Sequence, residues 1–326
     1  VVADNCCDET AAAARGARLG AVLEVLERQD PAARGKGHAL NAGLASIAGS
    51  GMMERDGIEV VVVLDADCRF LPGTMAPLVR AAASAQRPVQ ACNLVEPPVN
   101  PSLKDRLSAF AFLFKNLVRP LGLSRLGLPC LLMGTGMAMP WSIASKVKAS
   151  AAITEDIRLG IDLAGQGMAP KYVATSHVRS MAPSGERAAA TQRTRWEHGH
   201  VQSILRHAPG MILKGVVRLR PSLVFLGLEL AVPPLSLFVL LSLMAAMAVA
   251  GLFWAGLVSG WALWLGLAIP AAIGLAVFLG WLGHGRRVVS LGQLAAVPFY
   301  IAWKIPIYLR LVRRPEQRWV RTERGV

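Results

Sequence analysis

Between residues 222 and 285 the chain carries one charged side chain, Glu229. An ordinary soluble surface is not built that way, because exposed backbone and side chains need polar groups to meet water. The block is long enough for two helices, each able to cross about 30 Å of hydrocarbon. Residues 223–250 and 256–280 are the two candidate spans, and Pro233-Pro234 predicts a kink in the first. Arg206, Lys214, Arg218 and Arg220 precede the first span, and Arg286 and Arg287 follow the second. The turn near residues 251–259 is uncharged, so the pair reads as a hairpin with both basic ends on the cytoplasmic side.

The charge balance agrees. Of the net +14, residues 1–205 supply +4 (22 Lys/Arg against 18 Asp/Glu) and residues 206–326 supply +10 (13 against 3). Basic charge also suits nucleic acid. Here it borders apolar segments instead of lining a polar face, so anionic lipid head groups fit better and nucleic acid is excluded. Residues 294–312 mix Phe299, Tyr300, Trp303 and Tyr308 with Lys304 and Arg310, and Pro298 and Pro306 interrupt them. That pattern predicts a helix lying in the membrane interface, with the basic tail 314–326 along the surface.

Residues 1–205 read differently. Apolar runs alternate with helical segments, which argues for a layered α/β domain. Strands are expected at 1–3, 23–26, 58–64, 89–95 and 171–177. Helices are expected at 10–19, 38–48, 72–85, 102–118, 155–165 and 186–207. The β-branched run at 58–64 has the look of a strand buried on both faces of a parallel sheet. The apolar face of 102–118 suits either the sheet or the bilayer surface. The five cysteines have no zinc spacing and read as reduced thiols. The chain has neither an initial Met nor a signal peptide and opens on Val1-Val2-Ala3, which reads as the end of a strand already inside a domain, so an N-terminal truncation is expected.

Five clusters carry the chemistry. Asp65-Ala66-Asp67 follows the 58–64 run, where ligands gather in α/β sheets. Two carboxylates at that spacing can share one divalent ion, and Mg²⁺ or Mn²⁺ takes oxygen ligands. Asp4-Asn5 and Asp8 also follow a strand; they can meet a base or ribose, or cap the next helix. Arg34-Gly35-Lys36-Gly37 is a basic glycine turn before a helix, fit to hold phosphate or simply to bend. Thr154-Glu155-Asp156 begins a helix. Thr154 suits an N-cap, and Asp156 suits a general base. Gln192, Arg195 and Trp196 share one helical face and offer an amide, a cation and a flat ring.

In this order the clusters resemble family 2 glycosyltransferases, in the membrane-bound branch that includes cellulose and hyaluronan synthases. The resemblance covers residues 1–205, and its most specific parts are T-E-D and Q-x-x-R-W. It implies a GT-A (Rossmann-like) fold, a nucleoside-diphosphate sugar donor, Mg²⁺ or Mn²⁺, and inversion at the anomeric carbon. By matched position, Asp4 contacts the nucleobase, and Lys36, Asp65, Gln192 and Arg195 hold the nucleotide. Asp67, with Asp65, binds the metal. Asp156 is the base. Trp196, Glu155 and the Gly134-Thr135-Gly136 loop lie on the acceptor side.

The organisation that follows is a catalytic domain at 1–205, a basic linker at 206–221, two transmembrane helices at 222–285, and an interfacial helix with basic tail at 286–326. The chain is then a multi-pass protein of the inner membrane with its catalytic domain in the cytoplasm. A single hairpin is less than the polymer channel of cellulose-type synthases, so a lipid-linked or membrane-held polysaccharide acceptor is expected. Partner subunits of a polysaccharide assembly system are compatible with this. Two rival readings remain: a nucleotide-binding membrane scaffold or transport subunit without catalysis, and a phosphoryl-transfer enzyme using Asp65 and Asp67.

Overall fold

The first parallel pair is short. Strand β1 (Val2–Asp4) bonds to β2 (Leu26–Arg28), and helix α1 (Thr10–Gly16) lies between them in sequence. The computed structural model describes residues 1–17, 20, 22–51, 57–150, 154–181 and 186–313. The expected end of the first helix at Leu19 and the tail 314–326 lie outside these residues.

Helix α2 (Lys36–Gly49) leads toward β3 (Val60–Val63). This valine run is not the doubly buried parallel strand that its composition suggests. It lies at an edge of a five-stranded mixed sheet, pairs antiparallel with β6 (Met137–Pro140), and is only half-buried. β-branched residues fit any pleated, partly covered surface, so the run could not tell centre from edge. The sheet order is β3-β6-β5-β7-β4, where β4 is Cys68–Phe70, β5 Val89–Glu96 and β7 Lys171–Met181.

That order has a geometric consequence. β3 and β4 lie at opposite edges, yet only Leu64 to Asp67 separate them in sequence. Five extended steps span about 17 Å, whereas four strand spacings in a flat sheet need about 19 Å. The sheet must therefore curl. The register of β5 on β7 shifts between Ala91 and Cys92, and β6 pairs only before this irregularity while β4 pairs only after it. The sheet splays there, and Asp65-Ala66-Asp67 crosses the opening.

Helix α3 (Met75–Ala85) covers one face through Leu78 and Ala82, both fully buried. α4 (Leu103–Leu113) starts with a capping box from Ser102 and Asp105, runs through a π-helical turn at Phe114–Val118, and continues as α5 (Arg119–Arg125). Its apolar face settles the open choice between sheet and bilayer. Leu107, Phe110 and Phe114 are buried with Cys92 and Leu94 of β5, and Trp281, Val289 and Tyr300 complete the same cluster. The C-terminal helices are thus fastened to the α/β layer through one core.

After the short α6 (Trp141–Ala144), α7 (Glu155–Gly165) carries T-E-D, and α8 (Glu186–Val217) runs for 32 residues, past the expected stop at 207 and through Pro209. α9 (Pro221–Ala231) folds back on α8; a Cβ on Gly227 would lie 2.8 Å from Ile212, so only a glycine lets them approach this closely. Pro233-Pro234 do more than kink the expected first span: the helix breaks there, and the apolar helix proper is α10 (Leu235–Trp254). Two prolines together remove two amide donors and crowd the preceding turn. α11 (Gly260–Gly280) follows and passes into a π turn at Trp281–Gly285. Both helices are long and apolar enough to cross a membrane, and their most apolar stretches are only 17% and 0% buried by the rest of the protein. They are therefore not the core helices of a soluble protein.

After α12 (Leu291–Leu294), α13 (Val297–Arg313) is one continuous helix despite Pro298 and Pro306. Tyr300, Ile301, Lys304 and Tyr308 are buried on one side, and Phe299 and Leu309 face outward. Lys304 does not interrupt this helix as a solvated cation: it pairs with Glu197 of α8 and donates to Ser236 of α10, 3.1 Å away.

Candidate active site

The splayed end of the sheet opens into a cleft of about 200 Å³. It is lined by Lys36, Asp65, Asp67, Gly134, Thr135, Glu155, Asp156, Gln192, Arg195 and Trp196. Two of the expected site residues lie elsewhere. Asp4 ends β1 and forms an ion pair with Arg28, 2.6 Å away, which also holds Asp30. Gly136 is a packing residue: its φ is +64°, and a Cβ there would sit 2.8 Å from Val178 and 3.2 Å from Ala91.

Lys36 is the first residue of α2, set by Gly35 in a left-handed conformation at φ +122°. Its ammonium pairs with Asp65 and donates to the Gly134 carbonyl at 2.7 Å. Burial works to lower the Lys36 pKa, but the adjacent Asp65, with Glu155 and Asp156, outweighs it and holds the group above its ordinary value. Gly37 serves a different purpose. A Cβ there would lie 2.0 Å from the Ser150 carbonyl, and Asn41 clamps Ala149 through both its backbone N–H (2.8 Å) and carbonyl (2.9 Å). The glycine turn and α2 therefore hold the segment that leads into T-E-D.

The acceptor-side loop is held by a residue that sequence reasoning missed. Fully buried Gln90 donates to the carbonyl of Thr135 (2.9 Å) and accepts from the amide of Met133 (2.8 Å). Thr135 in turn accepts from the amide of Asp65 at 3.1 Å. A lone glutamine in an apolar strand was the signal, since a buried amide needs specific partners.

Thr154 does not cap its helix through its side chain. Its hydroxyl bonds Ser203 of α8 at 2.8 Å, which ties T-E-D to the helix bearing Q-x-x-R-W. Burial raises the pKa of Asp156, against the opposing charge of Lys36 and a 2.8 Å bond from the Ile157 amide. Burial, then the charge of Asp156, pushes neighbouring Glu155 up to about 7. Two adjacent carboxylates in a low-dielectric wall resist carrying two charges. The arrangement can therefore accept a proton near neutral pH.

Trp196 is 38% exposed and stacks obliquely on Phe112, with ring centroids 5.5 Å apart. Glu229, the single acid of the apolar block, also lines the cleft and pairs with Arg119 at 2.9 Å. Sequence alone left Glu229 without a partner because Arg119 lies more than a hundred residues away.

Asp65, Asp67 and Cys68 bring one ligand atom each within 4.8 Å of one another. The two carboxylates suit Mg²⁺ or Mn²⁺. Burial first, together with the neighbouring Asp67 and Asp65 charges, pushes the Cys68 thiol up to about 12, so it stays protonated and is a poor ligand for a hard cation.

The profile described as Glycosyltransferase like family 2 matches residues 1–199. This chain belongs to that family. The family 2 glycosyltransferase thus has its profile match over the region that holds D-A-D and T-E-D and most of the Q-x-x-R-W helix's cleft face. Its mixed α/β architecture with a curled sheet agrees with the GT-A class expected for the family. No protein of curated function matches the sequence. Among solved structures, a mannosyltransferase from Pyrobaculum calidifontis, in complex with GDP-Man and Mn²⁺, is similar at 15% identity and a TM-score of 0.43, over 90% of this chain and 70% of that one.

Proposed function

We propose that this family 2 enzyme moves a hexosyl group, with inversion, from a nucleoside-diphosphate sugar to a membrane-held lipid-linked or polysaccharide acceptor, in cell-surface or exopolysaccharide synthesis. The observation that carries the reading is one cleft in which D-A-D, T-E-D and the Gln–Arg–Trp face meet, beside two helices fit to cross a membrane. In this reading residues 1–205 form the catalytic domain on the cytoplasmic side of the inner membrane, 206–221 the linker, 222–285 the membrane hairpin and 286–326 the interfacial part.

The acceptor hydroxyl oxygen attacks the anomeric carbon from the face opposite the diphosphate. The bond from that carbon to the diphosphate oxygen breaks, and the hydroxyl proton passes to an Asp156 oxygen. Burial makes Asp156 a stronger base than a solvated carboxylate, which suits transfer at neutral pH. Lys36, Gln192 and Arg195 hold the diphosphate and balance the charge that builds on it. Asp65 and Asp67 hold a divalent ion, Mg²⁺ or Mn²⁺, which supplies further positive charge there. Trp196 offers a ring face to the acceptor sugar, with Glu155, Gly134 and Thr135 around it. Asp4 contacts the nucleobase only if its pairing with Arg28 opens, and Gly136 supports the loop from behind.

The test is a screen of nucleotide sugars on the full chain in membranes, reading nucleoside diphosphate release with and without Mg²⁺ or Mn²⁺. Asp156→Asn is expected to abolish release and keep donor binding. Release at near wild-type rate from that variant sinks the base assignment.

A further inference from the structure

A second, larger cavity of about 330 Å³ adjoins the catalytic cleft. Its outer wall is apolar and comes from the feet of the two candidate spans: Leu235 and Phe238 on α10, and Ile273, Ala276 and Val277 on α11. Its inner wall is shared with the cleft, since Phe112, Trp196 and His200 line both. One continuous space therefore runs from the hairpin to T-E-D. The cations around it are answered by carboxylates. Arg119 pairs with Glu229, Lys304 with Glu197, and Arg193 lies 3.9 Å from Asp105. Lys115 is exposed, and the charges of Asp156, Glu229 and Glu197 act on it. The space does not call for a charged ligand.

It calls for hydrogen-bond donors. His200 is 4% exposed, and its Nε2 lies 3.0 Å from the Val232 carbonyl. A carbonyl only accepts, so Nε2 carries the hydrogen. Burial, then the neighbouring Lys115 charge, pushes the ring pKa down to about 3, so the ring is neutral and Nδ1 keeps its lone pair. Among the described residues that buried Nδ1 has no partner. Asn116 repeats the pattern from a different element. It sits on the π turn between α4 and α5, lines the cleft and is 1% exposed. Its Nδ2 donates to the Asn93 carbonyl at 3.1 Å, which fixes the orientation of the amide and leaves Oδ1 buried without a partner among the described residues. A buried hydrogen-bond acceptor left unpaired costs stability until a donor reaches it. Both acceptors line a cleft that also presents the ring of Trp196. A molecule with several hydroxyls set around a ring can satisfy both and lie against the indole. An ionised phosphate or carboxylate only accepts, and satisfies neither.

We infer that the substrate that receives the sugar is an uncharged glycolipid: its alkyl chain lies in the apolar cavity between α10 and α11, and its sugar lies against Trp196 with hydroxyls donating to His200 Nδ1 and Asn116 Oδ1. Another hydroxyl of that ring faces Asp156, which lines the same cleft. This rests on the transferase reading above and narrows its acceptor from lipid-linked or polysaccharide to a neutral lipid glycoside. The site binds glycolipid whether or not any donor reacts, which allows a separate test.

The probes are radiolabelled dodecyl glucoside, galactoside and mannoside, measured for saturable binding to the full chain in phosphatidylcholine nanodiscs against empty nanodiscs. At least one is expected to bind saturably. Loss of one hydrogen bond is expected to weaken that binding by about tenfold in His200→Phe and in Asn116→Leu. His200→Asn, whose amide oxygen can stand where Nδ1 does, is expected to stay near wild type. Ala276→Phe, which fills the apolar wall, is expected to block binding. Dodecanol, dodecyl phosphate and the matching methyl glycoside are each expected to compete far more weakly than the unlabelled dodecyl glycoside. Thermal unfolding of each variant is read alongside; where His200→Phe or Asn116→Leu fails to fold, the other variant and the competitor series decide. Absence of saturable binding, equal competition by dodecanol or dodecyl phosphate, or binding indifferent to the folded variants overturns the inference. So does displacement of the probe by UDP-glucose or GDP-mannose, because His200 and Asn116 then serve the donor. Binding as expected with no nucleoside diphosphate released from any donor leaves this site standing and removes the transferase reading instead.

Discussion

Replacing Lys36 by Met takes away an ammonium that acts on Asp65, Glu155 and Asp156 in the cleft. The Lys36 Nζ and an Asp156 oxygen each lie 3.2 Å from the place a Cβ on Gly134 would take, so they are at most twice that far apart. Two unit charges about 6 Å apart at an effective dielectric of about 20 interact by about 3 kcal/mol, or about 2 pKa units. Glu155 already stands at about 7, and Lys36 holds both it and Asp156 below where burial alone would put them. The acid limb of kcat/KM is therefore expected to move up by about 2 pH units in Lys36→Met. At pH 7 the unprotonated fraction of the base then falls, beyond any loss of donor affinity. Lys36→Arg keeps the charge and is expected to keep the limb near its wild-type position. The assay is nucleoside diphosphate release from pH 5.5 to 9.5, at donor concentrations below and above KM. If Lys36→Met lowers the rate but leaves the limb within about 0.3 pH units of wild type, Lys36 acts through donor binding alone and the electrostatic reasoning fails.

Glu155 also links pH to stability. Its folded pKa of about 7 lies above an ordinary carboxyl, so the fold binds the extra proton between pH of about 4.5 and 7, and stability falls as pH rises through that window. Melting scans are expected to show up to about 3 kcal/mol of loss in wild type and a flatter profile in Glu155→Gln. Gly136→Ala forces a side chain into φ +64° and 2.8 Å from Val178, and is expected to cost about 2–4 kcal/mol from strain and overpacking, read as a lowered Tm. Arg119→Met strands Glu229 in the cleft wall and is expected to lower the Tm by more than the double variant Arg119→Met with Glu229→Gln, since an orphaned buried charge costs about 3–5 kcal/mol. Equal Tm values for the single and double variants speak against the pair.

Much of the site could be read from the linear pattern because its residues come in short clusters. Asp65 and Asp67 follow a strand, Asp156 opens a helix, and Gln192, Arg195 and Trp196 fall on one helical face; each needs only local periodicity to be placed. The apolar block was equally plain, since absence of charge over such a length has few other meanings. Strand pairing was not plain. Val60–Val63 could satisfy a central or an edge position equally, and only the return of β6 beside it decided. The long-range partners were invisible for the same reason: Gln90 on the 133–136 loop, Thr154 on Ser203 and Glu229 on Arg119 are set by how elements pack.

The sequence by itself determined an α/β part bearing acidic strand ends, a family pattern within it, and two uncharged helices behind it. Those properties depend on residue type and short spacing, which chain order preserves. The tertiary structure alone decided that the sheet curls to bring Asp65 and Asp67 across its opening, that Asp4 stands apart with Arg28, and that the prolines at 233–234 end a helix instead of bending it. It also decided that Lys115, a flanking cation in the linear reading, lies where the catalytic cleft meets the membrane helices. Such facts follow from burial and from which distant surfaces exclude water together, and no local pattern records that.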